Sequence, residues 1–441
     1  MNQIAMKVRD AGVVGAGGAG FPAHVKLNAR AEIVIVNGAE CEPLLKTDQQ
    51  LAAQYPEELI RGLSYAMEAT GASEGIIALK AKYAQTIQRL EPLLLDKMKI
   101  SILRDVYPAG DEVITIWFAT GRRVPPGGLP LQIGVVVHNI QSIMNIAKAM
   151  TDEPVTHRTL TVTGLVHQPS TLRVPIGTRF QEVLNWAGGI NSSDVAVIEG
   201  GPVMGNLVAD LASPVTKTTG GLIVLPEDHP LVQSKRQSLS SILRIAKTVC
   251  EQCQMCTDLC PRHILGHAIS PHMLIRSVNY NTIGDPQLLT SALICSECGV
   301  CEVYACPVGI SPRQVNIALK QGFRAKGVKY AGEIRKEDPM AEFRLVPTNR
   351  LIQRLRLKPY YREAPLTLLD LEPEEVLIKL QQHIGAPSLP LVQPGDYVSK
   401  GQLLGEIPEN TLGARVHASI SGVVTEVSSG FIRIVKGGIV S

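Results

Sequence analysis

Eight of the chain's nine cysteines fall between residues 250 and 306, and their spacing is regular. Cys250, Cys253, Cys256 and Cys260 follow a C-x2-C-x2-C-x3-C pattern with Pro261 next. Cys295, Cys298, Cys301 and Cys306 repeat it with one extra residue before the last cysteine, and Pro307 follows. Three thiolates from one tight loop can cap three irons of a [4Fe-4S] cubane, while the fourth, carried past a proline turn, points elsewhere. A four-thiolate zinc site is the simpler alternative, but it leaves the third cysteine and the Cys-Pro of each run unexplained. The extra residue predicts a longer turn before Cys306. Only Cys41 lies outside these runs. It has no partner at ligand spacing and reads as a packing residue, so the cysteines describe metal sites in a reducing compartment and not a disulfide framework.

In two-cluster ferredoxins the fourth cysteine of each run serves the other cluster. The expected ligand sets are therefore Cys250, Cys253, Cys256 with Cys306, and Cys295, Cys298, Cys301 with Cys260. That crossing brings two clusters within electron-transfer reach of each other.

A second group of residues lies near the start of the chain. Gly15-Ala16-Gly17-Gly18-Ala19-Gly20-Phe21-Pro22 places four glycines ahead of a helical stretch that includes Lys26. Such a loop lets backbone approach a phosphate or a flat ring, and a helix start offers free N–H groups to an anion. Gly15, Gly17 and Gly20 also satisfy G-x-G-x-x-G with Glu40 beyond, but Lys7, Arg9 and Asp10 make a poor first Rossmann strand. The run Asn37-Gly38-Ala39-Glu40-Cys41-Glu42-Pro43 sets two carboxylates on a turn. They could accept from ribose hydroxyls or a nicotinamide amide, or they could be solvated turn residues.

The elements around these groups change character along the chain. Residues 33–146 alternate short β-branched runs (33–36, 76–79, 100–103, 134–137) with helical stretches (48–68, 84–98), the mark of an α/β sheet domain. Residues 157–225 read as a small α+β module with strands at 160–166, 195–199 and 221–225 and a helix at 179–187. A helical, cysteine-rich region follows, then a basic, proline-punctuated connector. Turn signals at Pro394-Gly395-Asp396, Lys400-Gly401 and Ser421-Gly422 announce a compact all-β module at the end.

Charge is nearly balanced, 43 basic against 40 acidic residues, which argues against nucleic acid as a partner. Residues 133–146 are interrupted by His138, Asn139, Gln141, Ser142 and Asn145 and fall short of a membrane span. Residues 1–10 look like one amphipathic helix through Ile4, Ala5 and Val8, not a signal peptide. The expectation is a cytoplasmic protein with no transmembrane segment.

Taken in order, the Gly17–Pro22 loop, the segment from Asn37 to Pro43, Gly110-Asp111-Glu112 and His138-Asn139 resemble the NADH- and FMN-binding segments of the flavin subunit of respiratory complex I and of RnfC-type electron-transfer proteins. The resemblance implies that Gly15, Gly17, Gly18, Ala19, Gly20, Phe21 and Lys26 line an FMN and nicotinamide pocket. By the same resemblance Glu40 and Glu42 face the dinucleotide, Asn37 the flavin, Gly110, Asp111 and Glu112 the flavin and its surroundings, and Asn139 the FMN phosphate side, with His138 also among the cofactor-binding residues. Ala39, Asp111 and His138 depart from the complex I pattern, which leaves NADH and NADPH both open as donors. Residues 157–225 resemble the soluble-ligand-binding β-grasp (SLBB) module, and 395–422 resemble a lipoyl-type barrel-sandwich hybrid with Thr411 where a modified lysine would stand.

RnfC carries that barrel at its N-terminus. The order found here resembles the PduS-type cobalamin reductases of propanediol-utilising bacterial microcompartments. The expected fold is multidomain α/β: a Rossmann-like FMN- and NADH-binding domain (1–152), a β-grasp (155–227), a ferredoxin-like domain with two [4Fe-4S] clusters (232–325), a basic linker (326–375) and the barrel (376–441). The resemblance implies an oxidoreductase using FMN, two [4Fe-4S] clusters and NADH, with cobalamin as substrate. It further implies a cobalamin adenosyltransferase and microcompartment shell or lumen proteins as partners. Two alternatives stand beside it: an RnfC-like electron-input subunit of a membrane ion pump, and a non-enzymatic microcompartment scaffold.

Overall fold

The sheet that opens the fold follows from its β-branched runs. A computed structural model of the chain describes residues 1–280, 286–369 and 371–437. Four parallel strands lie in the order Met98–Leu103, Glu74–Lys80, Ile33–Gly38 and Val135–Asn139. Both faces are covered, as a parallel sheet requires. Val34 and Val36 pack with Leu59, Leu63 and Ile143 of the helices Pro56–Thr70 and Ile140–Ala149. Ile33 and Ile35 pack with Val113, Ile114 and Ile116 of Glu112–Thr120 on the other face.

The strand order reverses between Ile33–Gly38 and Val135–Asn139, where Asn37 stands beside Asn139. This is the topological switch point at the carboxyl ends of the strands, where open α/β sheets hold ligands. The helical stretch expected at 48–68 is two helices, Thr47–Gln54 and Pro56–Thr70, because Pro56 lacks an N–H and is accepted only at a helix start. The 84–98 stretch ends its α-helix at Leu90, ahead of Pro92. The N-terminal helix Gln3–Asp10 buries Ile4, Ala5 and Val8 as the spacing predicts.

The second sheet runs Leu366–Thr367, Ser170–Pro175, His157–Gly164, Gly221–Pro226, Val195–Glu199 and Asn206–Leu207, with helix Phe180–Trp186 packed on it. The strand Ser170–Pro175 is absent from the sequence reading. The last module is two small sheets, one of Glu375–Lys379, Phe431–Val435, Gly422–Val427 and Tyr397–Val398, the other of Leu389–Pro390, Leu403–Glu406 and Val416–His417. Its core residues Val376, Ile378 and Leu404 are continuous with the apolar face of the N-terminal helix.

The segment expected as a basic linker is not a free connector. Val346–Pro347 pairs with Val106–Tyr107 of the first domain, and Leu366–Thr367 extends the second sheet beside Ser170–Pro175. Between them helix Thr348–Arg354 buries Leu351 and Ile352. Among the described residues no helix is long and apolar enough to cross a membrane.

Candidate redox site

The glycine loop is closed by its own backbone, Gly15 N–H to Phe21 O at 2.8 Å and Gly20 N–H to Gly15 O at 3.2 Å. Gly17, Gly18 and Ala19 form its exposed tip. Gly18 has φ +113°, and a Cβ built there would meet no atom of the described residues within 4 Å, so the tip faces open space. Three modules hold the loop. Ser142 Oγ accepts from Ala16 N–H at 2.8 Å, Arg158 of the β-grasp donates to Ala16 O at 2.8 Å, and Ile384 N–H of the barrel donates to Gly20 O at 3.1 Å.

Below the tip, Asn37 donates to Gly110 O at 2.9 Å, and Asn139 caps Ile140–Ala149 while donating to Asp48 at 2.7 Å. Lys26 bridges Glu112 and the Val137 carbonyl, both at 2.9 Å. His138 is buried, its Nε2 is without a hydrogen-bond partner, and burial first and Lys26 second lower it to about 3. It is neutral. Gly110 is packed against Cys41, where a Cβ would stand 3.1 Å from the sulfur. Burial pushes the Cys41 thiol up to about 12, which fits a packing residue.

Glu40 accepts from the Asp48 N–H at 3.2 Å at the start of helix Thr47–Gln54. Burial, then the neighbouring Asp48, raises its carboxyl well above the ordinary range, and burial raises Asp48 as well. Arg158 faces this pair across the domain boundary. Arg158 and Asp48 stand beside the expected site residues Asn139, Ala16 and Glu40 and are absent from the sequence reading. Neither lies in a motif, and only the packing of the β-grasp on the first domain brings them together.

Two of the expected cofactor contacts are engaged elsewhere. Glu42, expected to face the dinucleotide, is half-buried and accepts from Val203 N–H at 2.9 Å and Met204 N–H at 3.0 Å. The Tyr107 hydroxyl stands 3.1 Å from the same carboxylate and 2.6 Å from the Cys298 carbonyl. Asp111, expected at the flavin, caps Glu112–Thr120 and takes both arms of the Arg262 guanidinium, at 2.6 and 3.0 Å. Arg262 is two residues past Cys260. Both carboxylates therefore join the first domain to its neighbours, and both chains of contact end beside cysteines of the set formed by Cys260 and the Cys295 loop.

The cysteines of the two runs mix in their packing. Cys250 and Cys306 pack together against Ile242, Ile275 and Ile310, whereas Cys260 and Cys295 pack together against Ile269, Leu274 and Ile294. A cavity is lined by Cys250, Cys253, Cys256 and Cys306. Burial and then Cys306 raise the Cys256 thiol to about 12; burial, and Cys295 among the thiols, raise Cys260 to about 11. Among the described residues no three His, Cys, Asp or Glu side chains converge as one metal ion needs. The four thiols of the Cys250 set instead line a cavity, an arrangement that suits a cubane in which each sulfur meets a different iron. The extra residue before Cys306 is taken up by a π-helical turn, Cys301–Ala305, where the first run has the α-helical turn Met255–Asp258.

The surroundings of the two sets differ. Lys320 donates to the Cys295 carbonyl at 2.9 Å, Arg313 to the Glu297 carbonyl at 2.8 Å, and Cys298 and Cys301 are buried. Around the other set Cys253 is exposed, Gln252 Nε2 approaches Cys250 Sγ at 3.2 Å, and Ile310 N–H approaches Cys306 Sγ at 3.2 Å. The Cys295 set is thus interior and next to the first domain, and the Cys250 set is at the surface.

Residues 8–148 match the Nuo51 FMN-binding domain, 159–207 the SLBB domain, 249–311 a 4Fe-4S dicluster domain and 355–437 the RnfC barrel sandwich hybrid domain. The chain is 35% identical to one component of the Na+-translocating ferredoxin:NAD+ oxidoreductase complex of Acetobacterium woodii, over 59% of this chain and 58% of that one. It is 55% identical to the cobalamin reductase PduS of Salmonella typhimurium over 99% of this chain and 97% of that one. The PduS of Citrobacter freundii is also 55% identical, over 98% and 96%. With the FMN-binding domain, the dicluster domain and this identity carried over nearly its whole length, the chain belongs to the PduS cobalamin reductase family.

Proposed function

We propose that this chain takes electrons from NADH and passes them through FMN and two [4Fe-4S] clusters to cob(II)alamin, yielding cob(I)alamin. The balance is one NADH and two cob(II)alamin giving NAD+, one proton and two cob(I)alamin. Bound FMN supplies the conversion between two-electron and one-electron exchange. The loop from Gly15 to Phe21 takes the flavin on its open tip, Asn37 and Asn139 fix the switch-point end of the sheet, and Lys26 brings a cation to the pocket. Glu40, its carboxyl raised by burial and then by Asp48, keeps the dinucleotide side of the pocket.

The observation that carries the reading is the pair of contacts from the flavin-side turns, Asp111 to Arg262 and Glu42 through Tyr107 to Cys298. On this reading Cys260, Cys295, Cys298 and Cys301 would hold the cluster nearer the flavin side, and Cys250, Cys253, Cys256 and Cys306 the cluster nearer the surface, which would supply one-electron exchange with the acceptor. The relatives named cobalamin reductase support the acceptor. A cobalamin adenosyltransferase would consume the product, and the same name supports a cytoplasmic setting inside a propanediol-utilisation microcompartment, among its shell or lumen proteins.

A variant with Cys253 and Cys298 both replaced by alanine tests the relay. It should keep FMN, and NADH should still bleach that flavin and reduce small dyes, while cob(I)alamin formation collapses. Undiminished cob(I)alamin formation by the folded, FMN-loaded variant would show that flavin reduces the corrinoid directly.

A further inference from the structure

The surface set of cysteines opens onto a groove with a volume of about 490 Å³, lined by Ala246, Cys250, Gln252, Ile275, Arg276, Asn279 and Tyr280. Cys250, Gln252 and Ile275 also line the cavity between the four thiols, so the groove and the cluster site share those three side chains as a common wall. A space of that size takes part of a large ligand and leaves the rest on the open surface. The groove's chemistry is selective. The polar groups are one guanidinium, two carboxamides and a phenol, with no carboxylate among them. Arg276 is exposed and has no acidic partner among the described residues.

We infer that this groove is the corrinoid docking site, with Arg276 binding the phosphodiester of the nucleotide loop and Gln252 and Asn279 meeting carboxamide arms of the ring. The inference rests on the reading above that cobalamin is the acceptor. Cobalamin carries one phosphodiester and a rim of carboxamides, the groups these three side chains complement, and the phenol of Tyr280 offers a flat wall to the base of the loop. A corrinoid seated here has the cluster held by Cys250 as its nearest electron source, so the last step is one electron from that cluster to Co(II).

The test is anaerobic equilibrium dialysis of the FMN- and cluster-loaded protein with cob(II)alamin and with cob(II)inamide, which lacks the nucleotide loop and its phosphodiester. Arg276→Glu should weaken cob(II)alamin by about tenfold or more, the size of a charge-assisted hydrogen bond lost. It should leave cob(II)inamide within about twofold, with iron and FMN content unchanged. Arg276→Gln, which keeps a donor, should fall between. Unchanged cob(II)alamin affinity in Arg276→Glu overturns the assignment, and so does equal weakening of both corrinoids. A parent protein that neither binds nor reduces cob(II)alamin sinks the acceptor reading and the groove together; a parent that reduces it, with a variant that binds it equally, sinks the groove alone.

Discussion

Replacing Gly17 with alanine separates the loop's role toward a cofactor from its role in the fold. The added Cβ would stand 3.6 Å from Asn139 Cβ and 4.0 Å from Asn139 Nδ2, ordinary contact distances, so no protein atom has to move. Unlike Gly18 and Gly20, at φ +113° and +67°, Gly17 is not in the left-handed region. The apoprotein should therefore be unaffected or stabilised by about 0.4–1 kcal/mol through reduced freedom of the unfolded chain. Beyond that contact with Asn139, a methyl group on the exposed tip meets only what docks there. Overpacking of that kind costs about 1–3 kcal/mol, roughly 5- to 150-fold in the dissociation constant. Titration of the flavin-free protein with FMN, followed by quenching of flavin fluorescence, measures the affinity, and thermal unfolding of the same sample measures the fold. Gly18→Ala is the comparison, because its φ adds roughly 1–2 kcal/mol of backbone strain and should lower the melting temperature as well. Gly17→Ala binding FMN within about twofold of the parent at unchanged melting temperature would remove the loop from the flavin site.

Three further perturbations read other parts of the relay. Cys306→Ser should damage the cluster held by Cys250, Cys253 and Cys256, leaving the set with Cys260 intact; low-temperature electron paramagnetic resonance of the reduced protein distinguishes them, and loss of the Cys295 set's signal would break the crossing. Asp111→Asn leaves Arg262 charged and only 12% exposed without its partner, which should cost about 3–5 kcal/mol in denaturant unfolding, and a loss under about 1 kcal/mol would contradict the buried pair. The third concerns Glu40, whose folded-state pKa is raised by burial and then by Asp48, so the folded state binds more protons than the unfolded one and stability falls as pH rises above the ordinary carboxylate range. Glu40→Gln should remove that slope, so its melting temperature relative to the parent should climb from about pH 5 to about pH 9; a difference independent of pH would mean that Glu40 is ionised in the fold.

What could be read in the sequence was local. The cysteine runs declare their chemistry because a cubane's geometry is met within a few residues, and even the π-helical turn at Cys301–Ala305 follows from one extra residue. The glycine loop and the switch-point asparagines were visible for the same reason. Glu42 and Asp111 were visible as polar turn residues, but their partners are 161 and 151 residues away in the chain, and nothing in a turn's composition reports such a distance. Arg158 and Tyr107 carry no motif at all. The stretch from 346 to 367 looked like a linker because each strand in it is two residues long, too short to show any period.

The barrel's hold on Gly20 bears on how such chains can be rearranged. Ile384 bonds Gly20, Arg415 pairs with Asp10 at 2.6 Å, and Lys217 donates to both Gly12 and Arg415 carbonyls from the β-grasp. The barrel therefore sits against the end of the first helix, within a short span of backbone from residue 1. A chain could reach that seat equally well by placing the barrel ahead of the flavin domain, as in RnfC, or by arriving from the far end as this one does. The brace on the cofactor loop is defined by its place in space, whichever end of the chain delivers it. Without the barrel the loop would lose one of its three supports.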